Sequence, residues 1–142
     1  MRLEVVSPER VVYSEDVDMI VAPGIDGELG ILPRHAPLLT AIKPGEILVR
    51  QDGQDTYMAV SSGFLEVIGN KVTVLADTAE REDEIDEDRA AEAMQRAEER
   101  VAGATAAMDL ERAMASLRRS QARLRVARRR RGRAPRPGAP AQ

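Results

Sequence analysis

The sequence predicts a β + α fold, with an N-terminal antiparallel β-sandwich followed by a C-terminal two-helix hairpin. Short apolar segments typical of strands fill residues 2–78, and the apolar period becomes helical from Asp86 onward. The segment 132–142 is rich in proline and glycine and contains no large apolar residue. We therefore predict a sandwich over residues 1–80, a regulatory hairpin over 81–131 and a disordered basic tail over 132–142.

Six segments carry the strand signal. They are rich in β-branched and other apolar residues and are separated by Pro, Gly, Asp and Asn, as expected for strands joined by turns. In chain order they are RLEVVS, VDMIVAP, EILVRQ, TYMAVS, FLEVIG and KVTVLAD. Such a series is typical of an antiparallel β-sandwich.

Two amphipathic helices are predicted after the strands. Asp86 is suited to cap the first helix, with Ile85 packing onto Ala90 one turn later, and Gly103 is placed to end it. Asp109 is expected to cap the second helix, which would be about 33 Å long if it stayed regular to residue 131. The apolar stripes are Ala90, Ala93, Met94, Ala97 and Val101 in the first helix, and Leu110, Ala113, Leu117 and Leu124 in the second.

Length and composition exclude several classes of protein. With 142 residues, the chain has room for one modest domain and an appendage. It has no cysteine, which excludes disulfides and thiolate metal sites and fits a reducing compartment. No apolar run approaches the roughly 20 residues that span a bilayer, and MRLEVVSPER lacks the apolar core of a signal peptide. We therefore expect a soluble protein.

The net charge of −3 conceals a strong segregation of charge along the chain. Residues 80–99 hold ten acids and three arginines, whereas residues 118–142 hold ten arginines and no acid. This asymmetry suggests contact between the two segments or an acidic partner for the basic one. A solvated charged face is the simpler alternative.

No motif points to catalysis. The single histidine, His35, lies between Pro33 and Pro37, and a metal site there would need carboxylates as its other ligands. We interpret His35 as a structural or interface residue. The glycines of GIDGELG are not followed by GK[ST], so tight β-turns explain them better than a phosphate loop. No pair of residues has a spacing that indicates acid–base or covalent catalysis, so we predict that the chain is not an enzyme.

The segment GELGILPRHAPLLTAIKPGE, residues 27–46, closely resembles the epsilon subunit of bacterial F-type ATP synthases. The resemblance continues through SSGFLEVIGNKVTVLADTAE and, more weakly, through ERAMASLRRSQARLRV, so it covers residues 1 to about 130. It implies a non-catalytic central-stalk (rotor) subunit that couples the gamma subunit to the c-ring of the proton-translocating enzyme. It also implies a peripheral position at the cytoplasmic face of the bacterial plasma membrane.

The resemblance also implies roles for single residues. Glu28 and His35 match positions at the interface with the c-ring and gamma. The family's hairpin either lies beside the sandwich or extends into the ring of alpha and beta subunits, where it inhibits ATP hydrolysis. The alanine-rich stripe supports such movement, because docking it buries little apolar area. In the extended state, acidic loops of the beta subunit would meet Arg118, Arg119, Arg123 and Arg125, for which a solvated helix end is the alternative.

Some epsilon subunits carry an Ile-Asp-x-x-Arg-Ala motif and bind ATP in the folded-down hairpin. The stretch EIDEDRA matches that motif at Ile85, Asp86, Arg89 and Ala90. The resemblance adds Glu80 and three arginines that could reach phosphates, Arg96, Arg119 and Arg123. ATP would then be a regulatory ligand, and no cofactor is required. A plain helix cap stays open as the alternative, because Asp86 caps the helix in either case.

Two other functions are compatible with the sequence. A free-standing nucleic-acid-binding protein would use RRRRGRAPRPG to neutralise phosphates. Against it, the whole chain is acidic and has only Tyr13, Tyr57 and Phe64 as stacking aromatics, so we expect no nucleic-acid partner. A stand-alone ATP sensor is permitted by the arginine-rich hairpin. Of these three functions, only that of a rotor subunit predicts that gamma and c subunits are recovered with the chain in a pull-down.

Overall fold

The computed structural model describes residues 1–130 as ten strands followed by helices. The strands are β1 (Arg2–Val6), β2 (Val11–Asp16), β3 (Met19–Gly24), β4 (Gly27–Ile31), β5 (Leu38–Ile42), β6 (Gly45–Gln51), β7 (Gln54–Val60), β8 (Gly63–Ile68), β9 (Lys71–Ala76) and β10 (Ala79–Arg81). A 3-10 helix (Glu82–Glu84) leads into α1 (Glu87–Gly103) and α2 (Ala107–Arg129). The predicted tail 132–142 and Arg131 lie outside the described residues.

The strands hydrogen-bond in the order β10-β7-β6-β3-β5-β8-β9-β1-β2, with β4 beside β3. Between β3 and β5 the only registered pair is Gly24 with Ile42, and there the sheet folds over into two layers. Leu3 and Leu65 from one layer and Ile20 and Ile47 from the other are fully buried in one core. The prediction of a β-sandwich followed by two helices is confirmed.

The pairing of β1 with β9 departs from the predicted antiparallel arrangement. These strands run parallel, from Arg2 opposite Lys71 to Val6 opposite Leu75, whereas the other registered pairs are antiparallel. A tight hairpin imposes antiparallel pairing, but the whole sandwich separates these two strands along the chain, so no turn fixes their direction. The sequence also did not identify β2, β4, β5 and β10, which are short or carry several polar residues.

The glycines of GIDGELG build the β3–β4 hairpin. Gly24 pairs with Gly27 and leaves a two-residue loop between the strands. The φ of Gly27 is +131°, a conformation that residues with a Cβ rarely adopt. Gly30 lies inside β4. The turn interpretation is therefore confirmed for the first two glycines and is wrong for the third.

The start of α1 forms as predicted, whereas that of α2 does not. The Asp86 Oδ1 atom accepts a hydrogen bond from the Arg89 backbone N–H at 3.1 Å, and α1 ends at Gly103. The second helix begins two residues before Asp109, with Ala106 as an N-cap that makes no side-chain bond. Asp109 is therefore a first-turn residue, where its charge favours the helix dipole. No helix within residues 1–130 is both long and apolar enough to cross a membrane.

The hairpin docks on β6 and β7 through the C-terminal half of α2. A small cluster of mostly short side chains holds it there, and its buried members are Ala59, Ile85, Ala90, Leu124, Val126 and Ala127. Three large apolar residues in the N-terminal half of α2, Met108, Leu110 and Met114, are exposed, although Ala113 is buried. Because little apolar surface is buried, the hairpin is held less firmly than the sandwich core.

A fragment of residues 1–84 should fold without the hairpin. The main core is built only from residues at or before Ala79, so removing the helices leaves it intact. Two contacts fasten the end of this fragment to the sandwich. The Arg81 Nε atom donates to the Val12 carbonyl at 2.9 Å, and Arg10 pairs with Glu84. We expect a β-type circular dichroism spectrum and a cooperative thermal transition.

The matched comparison is a fragment that ends at Glu80, which loses both contacts and should melt at a lower temperature. An unfolded 1–84 fragment would show that the sandwich depends on the hairpin.

Candidate functional site

The residues of EIDEDRA have structural roles at the start of α1. The Asp86 side chain caps the start of α1. Ile85 and Ala90 are buried in the same small apolar cluster, where the hairpin packs on the sandwich. Asp86 and Arg89 are both exposed, but the Asp86 carboxylate serves the cap, whereas the Arg89 guanidinium has no ion-pair partner within residues 1–130. The motif therefore offers one free guanidinium on a well-anchored helix start.

Glu80 and Arg123, both predicted to contact ATP, bind each other. The Arg123 Nε atom donates to Glu80 Oε1 at 2.7 Å, and Nη2 donates to Oε2 at 3.3 Å. This two-point geometry is the strongest form of arginine–carboxylate contact, and both side chains are about two-thirds buried. The pair ties α2 to β10.

The register of the two helices places the remaining candidates. Arg128 pairs with Glu87 at 3.5 Å, which fixes the level at which the antiparallel helices meet. Arg96 follows Glu87 by the nine residues that separate Arg119 from Arg128, so Arg96 and Arg119 lie at the same level of the hairpin. Both are exposed and have no carboxylate partner in the described part of the chain. Arg89, Arg96 and Arg119 are therefore three of the predicted ATP contacts whose guanidinium groups make no ion pair within residues 1–130.

The arginines predicted to meet the beta subunit divide into two groups. Arg118 and Arg119 are exposed and make no ion pair with the residues that the structure describes. Arg123 and Arg125 are already engaged within the chain, by Glu80 and Glu46 respectively. The docked hairpin therefore presents only part of the predicted contact set to a partner.

Sequence reasoning missed a second anchor, formed by Glu46, Arg125, Arg129 and Tyr57. Glu46 on β6 accepts hydrogen bonds from Arg125 Nε and Arg129 Nη2, each at 3.2 Å. The Arg129 Cζ atom lies 4.1 Å from the centroid of the Tyr57 ring, within cation–π range. Hydrogen bonding to Glu46 raises the pKa of Arg129 above its ordinary value.

The charge segregation was a signal for the ion pairs at the base of the hairpin, but not for this anchor. It suggested contact between the acidic and basic segments as one of three interpretations, and the pairs Glu80–Arg123 and Glu87–Arg128 are such contacts. Glu46 lies outside the acidic segment, 79 and 83 residues from its two partners, so no local pattern could identify it.

Glu28 and His35 lie at different places along one edge of the sandwich. Glu28 is an exposed residue of β4 opposite Pro23, whereas His35 is half-buried in the loop after β4. The His35 Nδ1 atom lies 2.7 Å from the Ala36 carbonyl oxygen. A surface that includes both residues must therefore extend along β4. Within residues 1–130, no group of three or more His, Cys, Asp or Glu is arranged to hold a metal ion.

The layer that contains Leu3 and Leu65 carries a row of apolar side chains on its outer face. Strand register aligns them across five neighbouring strands, β5, β8, β9, β1 and β2. In that order the members of this outer apolar row are Ala41, Phe64, Leu75, Val6 and Val11. Phe64, Leu75 and Val11 are each more than half exposed, which is unusual for neighbouring large apolar residues on one strand face. This row has the character of an interaction surface.

Both parts of the chain match a known family. Residues 1–82 match the family described as ATP synthase, Delta/Epsilon chain, beta-sandwich domain. Residues 83–128 match the one described as ATP synthase, Delta/Epsilon chain, long alpha-helix domain. The boundary between the two matches falls at the 3-10 helix, where the sandwich gives way to the hairpin.

Curated relatives and solved structures agree with this match. The ATP synthase epsilon chain of Herpetosiphon aurantiacus is 52% identical over 133 residues, covering 94% of this chain and 98% of the relative. That of Desulforamulus reducens is 52% identical over 126 residues, covering 89% of this chain and 96% of the relative.

A chain in the cryo-EM structure of the Euglena gracilis mitochondrial ATP synthase has the same fold. Its TM-score is 0.74 at 22% identity, over 88% of this chain and 79% of that one. A chain from the Tetrahymena thermophila mitochondrial ATP synthase central stalk and c-ring gives a TM-score of 0.60 at 14% identity, over 89% and 96% of the two chains. On the combined match of sandwich and hairpin, this chain belongs to the delta/epsilon chain family of ATP synthases.

Proposed function

We propose that this chain is the epsilon-type central-stalk subunit of an F-type ATP synthase, a non-catalytic rotor part that couples gamma to the c-ring. The observation that carries the proposal is the match of residues 1–128 to both domains of the family. Relatives named ATP synthase epsilon chain support it at about 52% identity over nearly the whole length. The subunit would be peripheral to the membrane, at the cytoplasmic face of the bacterial plasma membrane.

The outer apolar row is the surface we assign to gamma. Exposed Phe64, Leu75 and Val11 would gain most from burial, because each leaves more than half of its surface in water. Contact with the polar loops of the c-ring is assigned to the edge that carries Glu28 and His35. Two separate faces are suited to a subunit that binds gamma and the c-ring at the same time.

The hairpin is the element we assign to control of hydrolysis. Its docking cluster is small, so release costs little, and the released α2 would offer arginines to acidic loops in the alpha/beta ring. Arg118, Arg119, Arg123 and Arg125 are the proposed contacts with the beta subunit. Inhibition and rotor binding would then reside in different parts of the chain.

We further propose that ATP binds the docked hairpin as a regulatory ligand. The free guanidinium groups of Arg89, Arg96 and Arg119, with Arg123 held by Glu80, supply the positive charge that phosphates need. They belong to both helices, so a nucleotide that bridges them would favour the docked state. At a hundredfold excess over Kd, such a ligand adds about 2.7 kcal/mol to the state it binds.

Phe64→Asp should weaken association with gamma, because the new carboxylate would be buried against an apolar partner. The measurement is the fraction of the chain recovered with tagged gamma. Met108→Asp is the matched control, since Met108 is similarly exposed but lies at the tip of the hairpin. Equal recovery of the Phe64→Asp and wild-type chains would show that the outer apolar row does not face gamma.

Deleting residues beyond Glu84 should raise ATP hydrolysis by the purified complex while the truncated subunit stays bound. The reason is that the proposed inhibitory arginines are removed, whereas the apolar row and the β4 edge remain. Hydrolysis would be assayed at low and high ATP, with subunit content checked by gel. If the rate rises under neither condition, the hairpin has no inhibitory role.

Arg89→Ala should abolish ATP binding by the isolated chain without loss of helix, because alanine is the better helix former. Titration calorimetry and circular dichroism give the two readouts. Arg100→Ala is the matched control, an exposed arginine of α1 outside the proposed site. Should millimolar ATP give no saturable heat with the wild-type chain, EIDEDRA is a helix cap and nothing more.

A further inference from the structure

Glu46 is the meeting point of two arginines from one helix. Its carboxylate accepts a hydrogen bond from Arg125 and a two-point contact from Arg129, residues one turn apart on the same face of α2. Arg129 in turn lies over the Tyr57 ring on the neighbouring strand. A single strand carboxylate thereby fixes the last turn and a half of the helix.

The position of Glu46 makes it dependent on the hairpin. Its side chain is only 17% exposed, although it projects from the outer surface of β6, because α2 lies across it. Lifting α2 would return Glu46 to water, so no buried charge would be stranded. The contact can therefore break and re-form without a large penalty in either state.

Four arginines near the end of α2 are paired with three carboxylates of the chain when the hairpin is docked. Arg123 binds Glu80, Arg128 binds Glu87, and Arg125 and Arg129 share Glu46. Glu80 lies on β10, the last strand before the hairpin, and Glu87 lies in α1, so their pairs form around the base of the hairpin. Glu46 differs because it lies on β6, far from the hairpin in sequence, and pairs with two arginines. It is thus the carboxylate whose loss most directly separates α2 from β6.

We propose that Glu46 is an electrostatic latch that holds the C-terminal half of α2 on the sandwich and sets how often the hairpin is released. Arg125 gives its Nε–H to Glu46, so a partner's carboxylate that takes that donor competes directly with the latch. This proposal deepens the inhibitory role given above, and only the identity of the partner rests on that role. The latch itself is a property of the isolated chain.

Such a latch shifts the equilibrium between the docked and the released hairpin but does not prevent release. Arg125 and Arg129 remain 55% and 42% exposed, and partly solvated ion pairs contribute modestly. The apolar cluster beside them is also small. Weakening the pair should therefore change the released population severalfold while the fold persists.

A single engineered thiol can report release, because the chain has no cysteine of its own. Ala127 is buried at the docking surface on α2, so the thiol of Ala127→Cys should react with a maleimide chiefly when the hairpin lifts. Ala76 is buried in the sandwich core, and the thiol of Ala76→Cys reports global unfolding. In the lifted state residue 127 is away from Glu46, so a change at Glu46 does not alter the reporter's own reactivity.

Glu46→Gln should accelerate labelling of the Ala127→Cys thiol about fivefold, the scale of one surface ion-pair network. Labelling of the Ala76→Cys thiol should not change. Glu4→Gln is the matched control, since Glu4 pairs with Lys71 on the other layer, away from the hairpin. A rate within twofold of the parent chain, or equal acceleration at both reporters, would overturn the latch.

Two further measurements complete the test. If Arg125 acts through Glu46, adding Arg125→Gln to Glu46→Gln should accelerate labelling little further, and fully multiplicative effects would contradict the coupling. In the assembled complex, Glu46→Gln should strengthen inhibition of hydrolysis. Faster labelling with unchanged hydrolysis would leave the latch standing and remove the inhibitory role of the hairpin.

Discussion

The hairpin rests on the sandwich through short apolar side chains and long charged ones, and this interface determines where the hairpin lies and which of its arginines are paired. Alanines at Ala59, Ala90 and Ala127 let the helix backbone approach β7 closely but bury little area. Ion pairs therefore contribute a larger share of the docking than they do in an ordinary core. Because such pairs exchange partners easily, the interface can be strong enough for the hairpin to dock and weak enough for it to be released.

The segregation of charge along the chain follows from that interface. Arginines concentrated toward the end of α2 need carboxylates in the docked state, and the acids around β10 and the start of α1 supply two of them. The same arginines would need carboxylates from a partner after release. One set of guanidinium groups would thus serve two alternative surfaces, and in the docked state Arg128 and Arg129 are paired with Glu87 and Glu46.

Much of this architecture could be predicted because its signals are local. Alternating strands, the Asp86 cap and the end of α1 at Gly103 each depend on residues within a few positions of one another. The cap expected at Asp109 failed because α2 gains two further residues, with Leu110 N–H bonding the Ala106 carbonyl. The parallel β1–β9 pair and the Glu46 anchor depend on residues about 70 or more positions apart, where local pattern carries no information. The candidate ATP residues came from resemblance, and the structure adds that Glu80 and Arg123 bind each other.

The parallel pairing of β1 with β9 has a consequence for synthesis on the ribosome. The strand that emerges first ends up between β2 and β9, yet the residues of β9 that pair with it emerge some 70 positions later. Contacts so distant in sequence form slowly, and the open edge of β1, with Leu3 and Val5, must stay unpaired on that side in the meantime. The earliest part of the chain is therefore among the last to be enclosed, and β1 is the strand most at risk of pairing with a neighbouring nascent chain.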